Sequence, residues 1–128
     1  MLRETVRTWV DLERVVRAGL PKRSLQIVAR HAVESGTAPS TLVYRIVPAA
    51  TFKRRTRLST EESERTERLA RVVALVESIW ESPAAVRAFL NRPHPLLGGE
   101  PPLDVAQSEL GARRVERLLY DVEHGLAL

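Results

Sequence analysis

Cys and His, which often act as nucleophiles, general bases and metal ligands, are absent or few in this sequence. Its 128 residues contain no Cys, and the three His lie far apart, at positions 31, 94 and 124. These positions do not match a metal-binding spacing such as His-Glu-x-x-His, and Gly98-Gly99 is not followed by the Lys-Ser/Thr pair of a phosphate-binding loop. No grouping of Ser, His and Asp stands out. We therefore expect no enzymatic activity, no metal site and no cofactor.

Charged residues are distributed unevenly along the chain. Residues 1–57 contain 12 Lys/Arg and 4 Asp/Glu, a net charge of +8, whereas residues 58–128 contain 8 and 12, a net charge of −4. A basic half joined to an acidic half predicts one polyanionic partner and a second partner of different character. Of the 20 basic residues 18 are Arg, so genome composition is an alternative source of the basic character.

The distribution of apolar residues predicts no membrane partner, and the absence of Cys fits a protein of the reducing cytoplasm. No apolar run approaches the length of a membrane-spanning helix, and the N-terminal residues lack the apolar core of a signal peptide. The absence of Cys excludes a disulfide framework. A chain of this length forms one domain, or two small helical subdomains that share a core.

Apolar residues recur at helical spacing throughout, which predicts an all-α fold. We predict helices at residues 2–19, 22–34, 40–46, 49–57, 60–81, 102–108 and 112–124, with a further short helix after Ser82-Pro83. Trp9 and Val10 fall on the predicted apolar side of the first helix, and Gly111 is expected to separate the last two helices.

The helix at 60–81 has the clearest pattern. Ser59 and Glu62 predict a capping box at its start. A stripe at spacings of three and four residues is expected to be buried: Leu69, Val72, Val73, Val76, Ile79 and Trp80. Its charged residues are expected on the solvent side: Glu61, Glu64, Arg65, Glu67, Arg68 and Arg71.

Two short predicted helices, 40–46 and 49–57, meet at the tight turn Val47-Pro48. Their lengths and short connection are typical of a helix-turn-helix, whose second helix enters the major groove of DNA. Candidates for base contacts are Thr51, Lys53 and Arg54, since such side chains bond to base edges. Candidates for phosphate contacts are Arg45, Arg55 and Arg57. A solvated helix face in an Arg-rich protein is the alternative interpretation.

A Pro- and Gly-rich stretch, residues 89–104, contains two of the six Gly and four of the eight Pro. This composition predicts a stiff loop with a Gly-Gly turn, and a restricted loop loses little entropy on binding. Because the stretch lies in the acidic half, away from the basic helix pair, we predict that it faces a protein partner. The alternative is that these residues only shape a corner between two helices.

Segments 88–104, 111–119 and 123–125 resemble the toxin-binding domain of the Xre/MbcA/ParS antitoxins. Such domains typically read Ala-x-x-Trp-Leu, then a Pro-Asn-Pro-like loop, Leu-Gly-Gly, Pro-Leu-Asp and a Gly-x-x-x-Val helix that ends in Gly. Here Phe89 stands where Trp is usual and His94 where Asn is usual. Residues 46–65 are similar to the Xre-type helix-turn-helix of the same family, although the turn lacks a Gly.

The resemblance implies an Xre-like helix-turn-helix region over residues 1–58, and a long helix with a small toxin-binding domain over residues 59–128. It implies a non-enzymatic antitoxin of a type II toxin–antitoxin pair. Such an antitoxin covers the active site of a RES-domain toxin, which consumes NAD or ADP-ribosylates proteins, and often represses its own operon. Since helix-turn-helix proteins usually bind operator DNA as two-fold dimers, we also expect a homodimer within the toxin–antitoxin complex. The alternative is a DNA-binding repressor whose C-terminal half only dimerises.

The same resemblance suggests which residues meet the toxin. Exposed contacts are predicted at Arg92, His94, Glu100, Arg113, Arg114 and Arg117. Three further residues of the predicted toxin-binding surface, Leu97, Gly98 and Gly99, are expected to set its shape. The apolar tail that contains Leu126 and Leu128 is predicted to plug the toxin's cleft. Acidic residues of this half are expected to complement a basic cleft on the toxin: Glu100, Asp104, Glu109, Glu116, Asp121 and Glu123.

Overall fold

The computed structural model describes residues 8–126, which form eight α-helices. These are α1 (Trp9–Ala18), α2 (Lys22–Ala32), α3 (Pro39–Ile46), α4 (Ala49–Arg54), α5 (Thr60–Ile79), α6 (Pro83–Asn91), α7 (Pro102–Val105) and α8 (Glu109–Glu123). A 3₁₀ turn, Pro95–Leu97, lies between α6 and α7. Over these 119 residues, β-type pairing is confined to two isolated bridges. The predicted all-α fold is confirmed.

Hydroxyl side chains fix several helix starts. Ser59 Oγ accepts a hydrogen bond from the N–H of Glu62 at 3.1 Å, and Glu62 Oε1 accepts one from the N–H of Ser59 at 2.8 Å. This is the predicted capping box, which satisfies two amides that have no partner within the helix. Ser82 caps α6 with Pro83 in its first turn, also as predicted. Local sequence therefore determines where α5 and α6 begin.

α5 lies at the centre of the fold and packs against α1, α2, α6 and α8. Its predicted stripe is buried at Leu69, Val72, Val73 and Val76, while Ile79 and Trp80 pack partly buried against the core. Core residues from the helices before and after α5 form one cluster. The two parts of the chain therefore share a core, and the boundary between residues 58 and 59 stays a prediction.

The predicted extension of α4 to residue 57 is wrong, because α4 ends at Arg54. Beyond it the chain is extended and runs antiparallel to the turn that follows α1. The N–H of Leu58 donates to the carbonyl of Leu20 at 2.9 Å, and Pro21 and Arg57 form an isolated bridge. These long-range hydrogen bonds satisfy backbone groups that a longer helix would have used.

Gly111 does not separate two helices, as the sequence suggested, but lies inside the first turn of α8. A Cβ at this position would lie 1.8 Å from the carbonyl oxygen of Val105. Glycine therefore allows the end of α7 to approach the start of α8. The C-terminal stop is as predicted, since Gly125 has a left-handed φ of 69° just after α8.

Other helix boundaries also differ from the prediction, and α7 ends at Val105 rather than at residue 108. α2 and α5 end two residues early, because Val33 and Trp80 have extended backbone conformations. α1 begins at Trp9, and the predicted residues 2–7 lie outside the described part. Trp9 and Val10 are 77% and 67% exposed, so they do not belong to the core. They occupy the first turn of α1, whereas burial on this helix is centred on Val16 in its second half.

The charged face of α5 is solvated only in part: Glu61 and Glu64 are exposed as predicted, whereas the other four predicted residues are half-buried, namely Arg65, Glu67, Arg68 and Arg71. Arg71 lies 3.1 Å from Glu116 of α8 and 3.2 Å from Glu67, and Arg68 lies 3.0 Å from Glu109 of α8. Burial lowers the pKa of Arg71, but the surrounding carboxylates raise it more, so its pKa lies above the ordinary value. The hydrogen bond from Arg68 is the main reason that the pKa of Glu109 is lowered. Ion pairs thus join α5 to α8 beside the apolar core.

Candidate functional site

Helices α3 and α4 form a fixed pair joined by Val47-Pro48. Phe52 of α4 is buried, and its ring meets that of Tyr44 of α3 edge to face at 6.2 Å. Lys22 Nζ donates to the carbonyl of Phe52 at 3.0 Å and lies 5.0 Å from the centre of its ring. These contacts anchor one side of α4 on the core and leave its other side at the surface.

The outer side of α4 presents two basic side chains. Lys53 and Arg54 are exposed, and neither forms an ion pair or hydrogen bond with another side chain in residues 8–126. Thr51, on the same short helix, is half-buried. The predicted base contacts therefore lie together on an accessible helix, with two cations available to an external anion.

The three predicted phosphate contacts differ from this pair, because each is already bound within the chain. Arg45 Nη1 lies 3.1 Å from Asp104 Oδ1, and Arg55 forms a two-point ion pair with Glu62 at 2.7 and 3.3 Å. Arg57 Nη1 donates to the carbonyl of Gly19 at 2.7 Å. Their role in DNA contact stays a prediction, but each now has a structural role.

The Pro/Gly stretch closes into a tight loop around His94. The backbone N–H of His94 donates to the carbonyl of Glu100 at 3.2 Å, and its own carbonyl accepts from Leu97 and Gly99, each at 3.0 Å. Its side-chain Nδ1 accepts from the N–H of Leu96 at 3.1 Å. His94, predicted as an exposed toxin contact, is half-buried and holds the loop together.

Gly98 and Gly99 form the tip of this loop, with left-handed φ values of 68° and 79°. A Cβ at either position would meet no atom within 4 Å. The conformation, rather than crowding inside the chain, favours glycine here. The tip is open backbone that another molecule can approach closely.

The loop and α8 enclose one surface groove of about 450 Å³, which we call the α8 groove. It is lined by Leu96, Leu97, Arg113, Arg114, Arg117, Leu118 and Asp121. Leu97 and Leu118 are buried beneath it, whereas Leu96 is 58% exposed. The structure thus brings the loop next to the three arginines predicted on the last helix.

The other predicted toxin contacts lie around the groove or outside the described chain. Arg92 and Glu100 are exposed at the two ends of the loop and do not line the groove. Leu126 is exposed just after α8, and its N–H donates to the carbonyl of Asp121 at 2.7 Å. Leu128 lies outside the described residues.

Neither a metal site nor a membrane span is found in the described part of the chain. Within residues 8–126, no three His, Cys, Asp or Glu side chains are grouped in a way that could hold a metal ion. No helix of this part has the length and apolar character needed to cross a membrane.

Two family models match successive parts of the chain. The antitoxin Xre-like helix-turn-helix domain matches residues 11–71, from α1 into α5. The antitoxin Xre/MbcA/ParS C-terminal toxin-binding domain matches residues 75–125, from the end of α5 through α8. The chain belongs to the Xre/MbcA/ParS antitoxin family. The resemblance carried by the α3–α4 turn and the Pro/Gly loop is confirmed.

A curated relative in this antitoxin family is described as Antitoxin Xre, from Pseudomonas putida. The two proteins are 26% identical over 87 residues, which is 65% of this chain and 55% of the relative. The chain thus matches about half the length of that protein.

The two surfaces described above fall in different family domains. α4, with Lys53 and Arg54, lies in the helix-turn-helix match, and the α8 groove lies in the toxin-binding match. Sequence reasoning missed Leu96 as an exposed residue of the groove. The signal that could have found it is the Leu96-Leu97 pair. Two adjacent leucines in a 3₁₀ turn point in different directions, so both cannot face the core.

Proposed function

We propose that this chain is an antitoxin that binds and neutralises a RES-domain toxin, an enzyme that consumes NAD or ADP-ribosylates proteins. It acts in the cytoplasm, has no catalytic activity of its own, and covers the toxin's active site. The binding surface consists of the α8 groove, the loop tip at Gly98-Gly99, and the flanking residues Arg92 and Glu100.

The observation that carries this proposal is the α8 groove itself, within the region that matches a toxin-binding domain. Leucines of the loop and of α8 give it an apolar floor, while three arginines give it a polar rim. An apolar centre with a polar, accessible rim is the usual anatomy of a protein–protein interface. The loop is preorganised by the hydrogen bonds of His94, which lowers the entropy lost on binding.

Co-expression tests the proposal. The reading frames that adjoin the gene are first searched for a RES-domain protein. The full chain is then produced together with that candidate toxin, and the mixture is analysed by size-exclusion chromatography. We expect a stable complex. We also expect that cells expressing the toxin grow only when this chain is present. Separate elution of the two proteins would contradict the proposal. Deletion of residues 126–128 tests the apolar tail, because loss of neutralisation with retained binding is expected if the tail plugs the cleft.

We further propose that the chain represses its own operon as a homodimer, through α4. Exposed Lys53 and Arg54 on a helix held by buried Phe52 support this role. A gel shift on the chain's own promoter tests it at low salt, since phosphate contacts weaken as salt rises. A shift without any toxin complex would favour the alternative function, a repressor whose C-terminal half only dimerises.

A further inference from the structure

We infer that the α8 groove receives an acidic segment of the toxin that also inserts an apolar side chain beside Leu96. This inference rests on the proposed function, and it specifies the chemistry of the partner at that surface. Composition alone would suggest a basic partner, because residues 58–128 carry a net charge of −4. The partner inferred here is acidic.

The guanidinium groups on the rim are available to an external anion. Arg113 and Arg117 are 72% and 77% exposed in their side chains. Their internal partners, both in i, i+4 pairs, are exposed Glu109 at 3.7 Å and half-buried Asp121 at 3.3 Å. The pair of Arg113 with Glu109 is exposed on both sides and contributes little to stability. Arg114 is exposed and has no ion-pair or hydrogen-bond partner in residues 8–126.

Of the six acidic residues predicted to complement the toxin, exposed Glu100 and Glu123 have no side-chain partner in residues 8–126, whereas the other four are paired with arginines. Asp104 is bound by Arg45, and Glu116 is bound by Arg71. Glu109 is hydrogen-bonded by Arg68, and its lowered pKa keeps it ionised and paired. In the groove itself a basic partner would have to displace Arg117 from Asp121, the carboxylate of the lining. An acidic partner instead meets Arg114, which has no partner in residues 8–126, and Arg113, whose ion pair is long.

The floor of the groove favours a protein segment over a nucleic acid. Leu96 is 58% exposed at the edge of a cavity that includes Leu97 and Leu118. A phosphate backbone has no group to cover such apolar surface. A peptide segment with carboxylates around one apolar side chain matches both the apolar floor and the arginine rim. Its apolar side chain covers the leucines, and its carboxylates bind the planar guanidinium groups at two points.

The test measures binding of full-length variants to the purified RES-domain toxin that forms the co-expressed complex. Arg114→Glu should raise Kd by about 30-fold, the loss expected for an arginine at an interface hot spot. Arg23→Glu is the matched control, with the same charge change at an exposed position of α2, and its Kd should stay within about twofold of the wild-type value.

An apolar pair of variants tests the floor independently of charge. Leu96→Asp should weaken binding at least as much as Arg114→Glu, whereas Leu110→Asp should not, although Leu110 is also exposed on α8. Circular dichroism checks that all four variants fold. Among overlapping peptides of the toxin, those that bind the wild-type chain should be acidic and should lose binding to Arg114→Glu.

The outcomes separate the inference from the proposed function. If the wild-type chain binds the toxin but Arg114→Glu binds equally or more tightly, the inference is overturned while the antitoxin role stands. If Arg114→Glu weakens binding to a nonspecific DNA duplex and leaves toxin binding unchanged, the groove is a nucleic-acid site and the inference is also wrong. If the wild-type chain does not bind the toxin, the proposed function fails and the inference falls with it.

Discussion

Replacement of Gly111 by Ala is expected to destabilise the protein, although Ala is the better helix former. Gly111 has ordinary helical geometry in α8, so the backbone itself would tolerate a side chain. The added Cβ, however, would lie 1.8 Å from the carbonyl oxygen of Val105 and 2.9 Å from Ser108 Oγ. The nearer atom belongs to the backbone and cannot rotate away, so α7 and α8 would have to separate.

The net effect is a balance of two terms. Gly→Ala within a helix normally stabilises by roughly 0.5–1 kcal/mol. Overpacking by one methyl group against a fixed atom costs about 1–3 kcal/mol, and more when the contact is severe. At 1.8 Å the contact is severe, so we expect the free energy of unfolding to fall by roughly 2 kcal/mol. With a urea m-value of about 1–3 kcal/mol/M, the midpoint should fall by on the order of 1 M.

Urea unfolding followed by circular dichroism measures this change. Gly36→Ala is a useful comparison, because Gly36 has a positive φ of 91° but a Cβ added there would meet no atom within 4 Å. Its cost of about 1 kcal/mol would arise from backbone conformation alone. A Gly111→Ala protein as stable as the wild type, or more stable, would refute the packing argument. Loss of toxin binding should accompany the destabilisation, since α8 carries the arginine rim of the groove.

Other predictions concern the ion pairs and the basic surface. Glu62→Gln should lower the free energy of unfolding at pH 7 by about 1–2 kcal/mol, since it weakens the helix cap and removes the charge that pairs with Arg55. Urea titration measures it, and unchanged stability would contradict it. Burial raises the pKa of Glu62, but hydrogen bonds from the capping residue and from Arg55 lower it more. The stabilisation is therefore complete above the unfolded-state pKa, about 4.3, and is lost as the pH falls through the lower folded-state pKa. The difference between wild type and Glu62→Gln should thus shrink below pH 4, and a difference that persists at pH 2 would argue against this linkage. Arg57→Ala should cost about 1 kcal/mol of stability by removing the hydrogen bond to Gly19, whereas Arg54→Ala should change stability by less than about 0.5 kcal/mol and weaken the promoter gel shift.

Features encoded by neighbouring residues could be predicted from the sequence. The capping box at Ser59 and Glu62 needs two residues three positions apart, and the buried stripe of α5 repeats at helical spacing. Gly125 ends α8 because its left-handed conformation depends on no distant contact. In each case the pattern that predicts the structure lies within about three helical turns, although the stripe is stabilised by packing against the other helices.

Features that depend on distant residues could not be predicted in this way. α4 ends at Arg54 because the following residues bond to the turn after α1, which lies more than 30 positions earlier. In the sequence Gly111 cannot be distinguished from a glycine that ends a helix. Only the folded position of the Val105 carbonyl shows why a residue without a side chain is needed there. Of the candidate sites, the basic face of α4 follows from local pattern, whereas the α8 groove requires the loop to fold back onto α8.

The charge of a sequence segment is a poor guide to the charge that its surface offers a partner. The C-terminal half is acidic in sequence, but arginines of α3 and α5 bind Asp104, Glu109 and Glu116 beside the apolar core. The arginines of α8 that line the groove have only weak internal partners or none in the described residues. Long-range attraction to a partner reflects net charge, but contact energy depends on which groups are already paired. The structure therefore favours a basic contact surface within an acidic region, a combination that is visible only once the internal ion pairs are known.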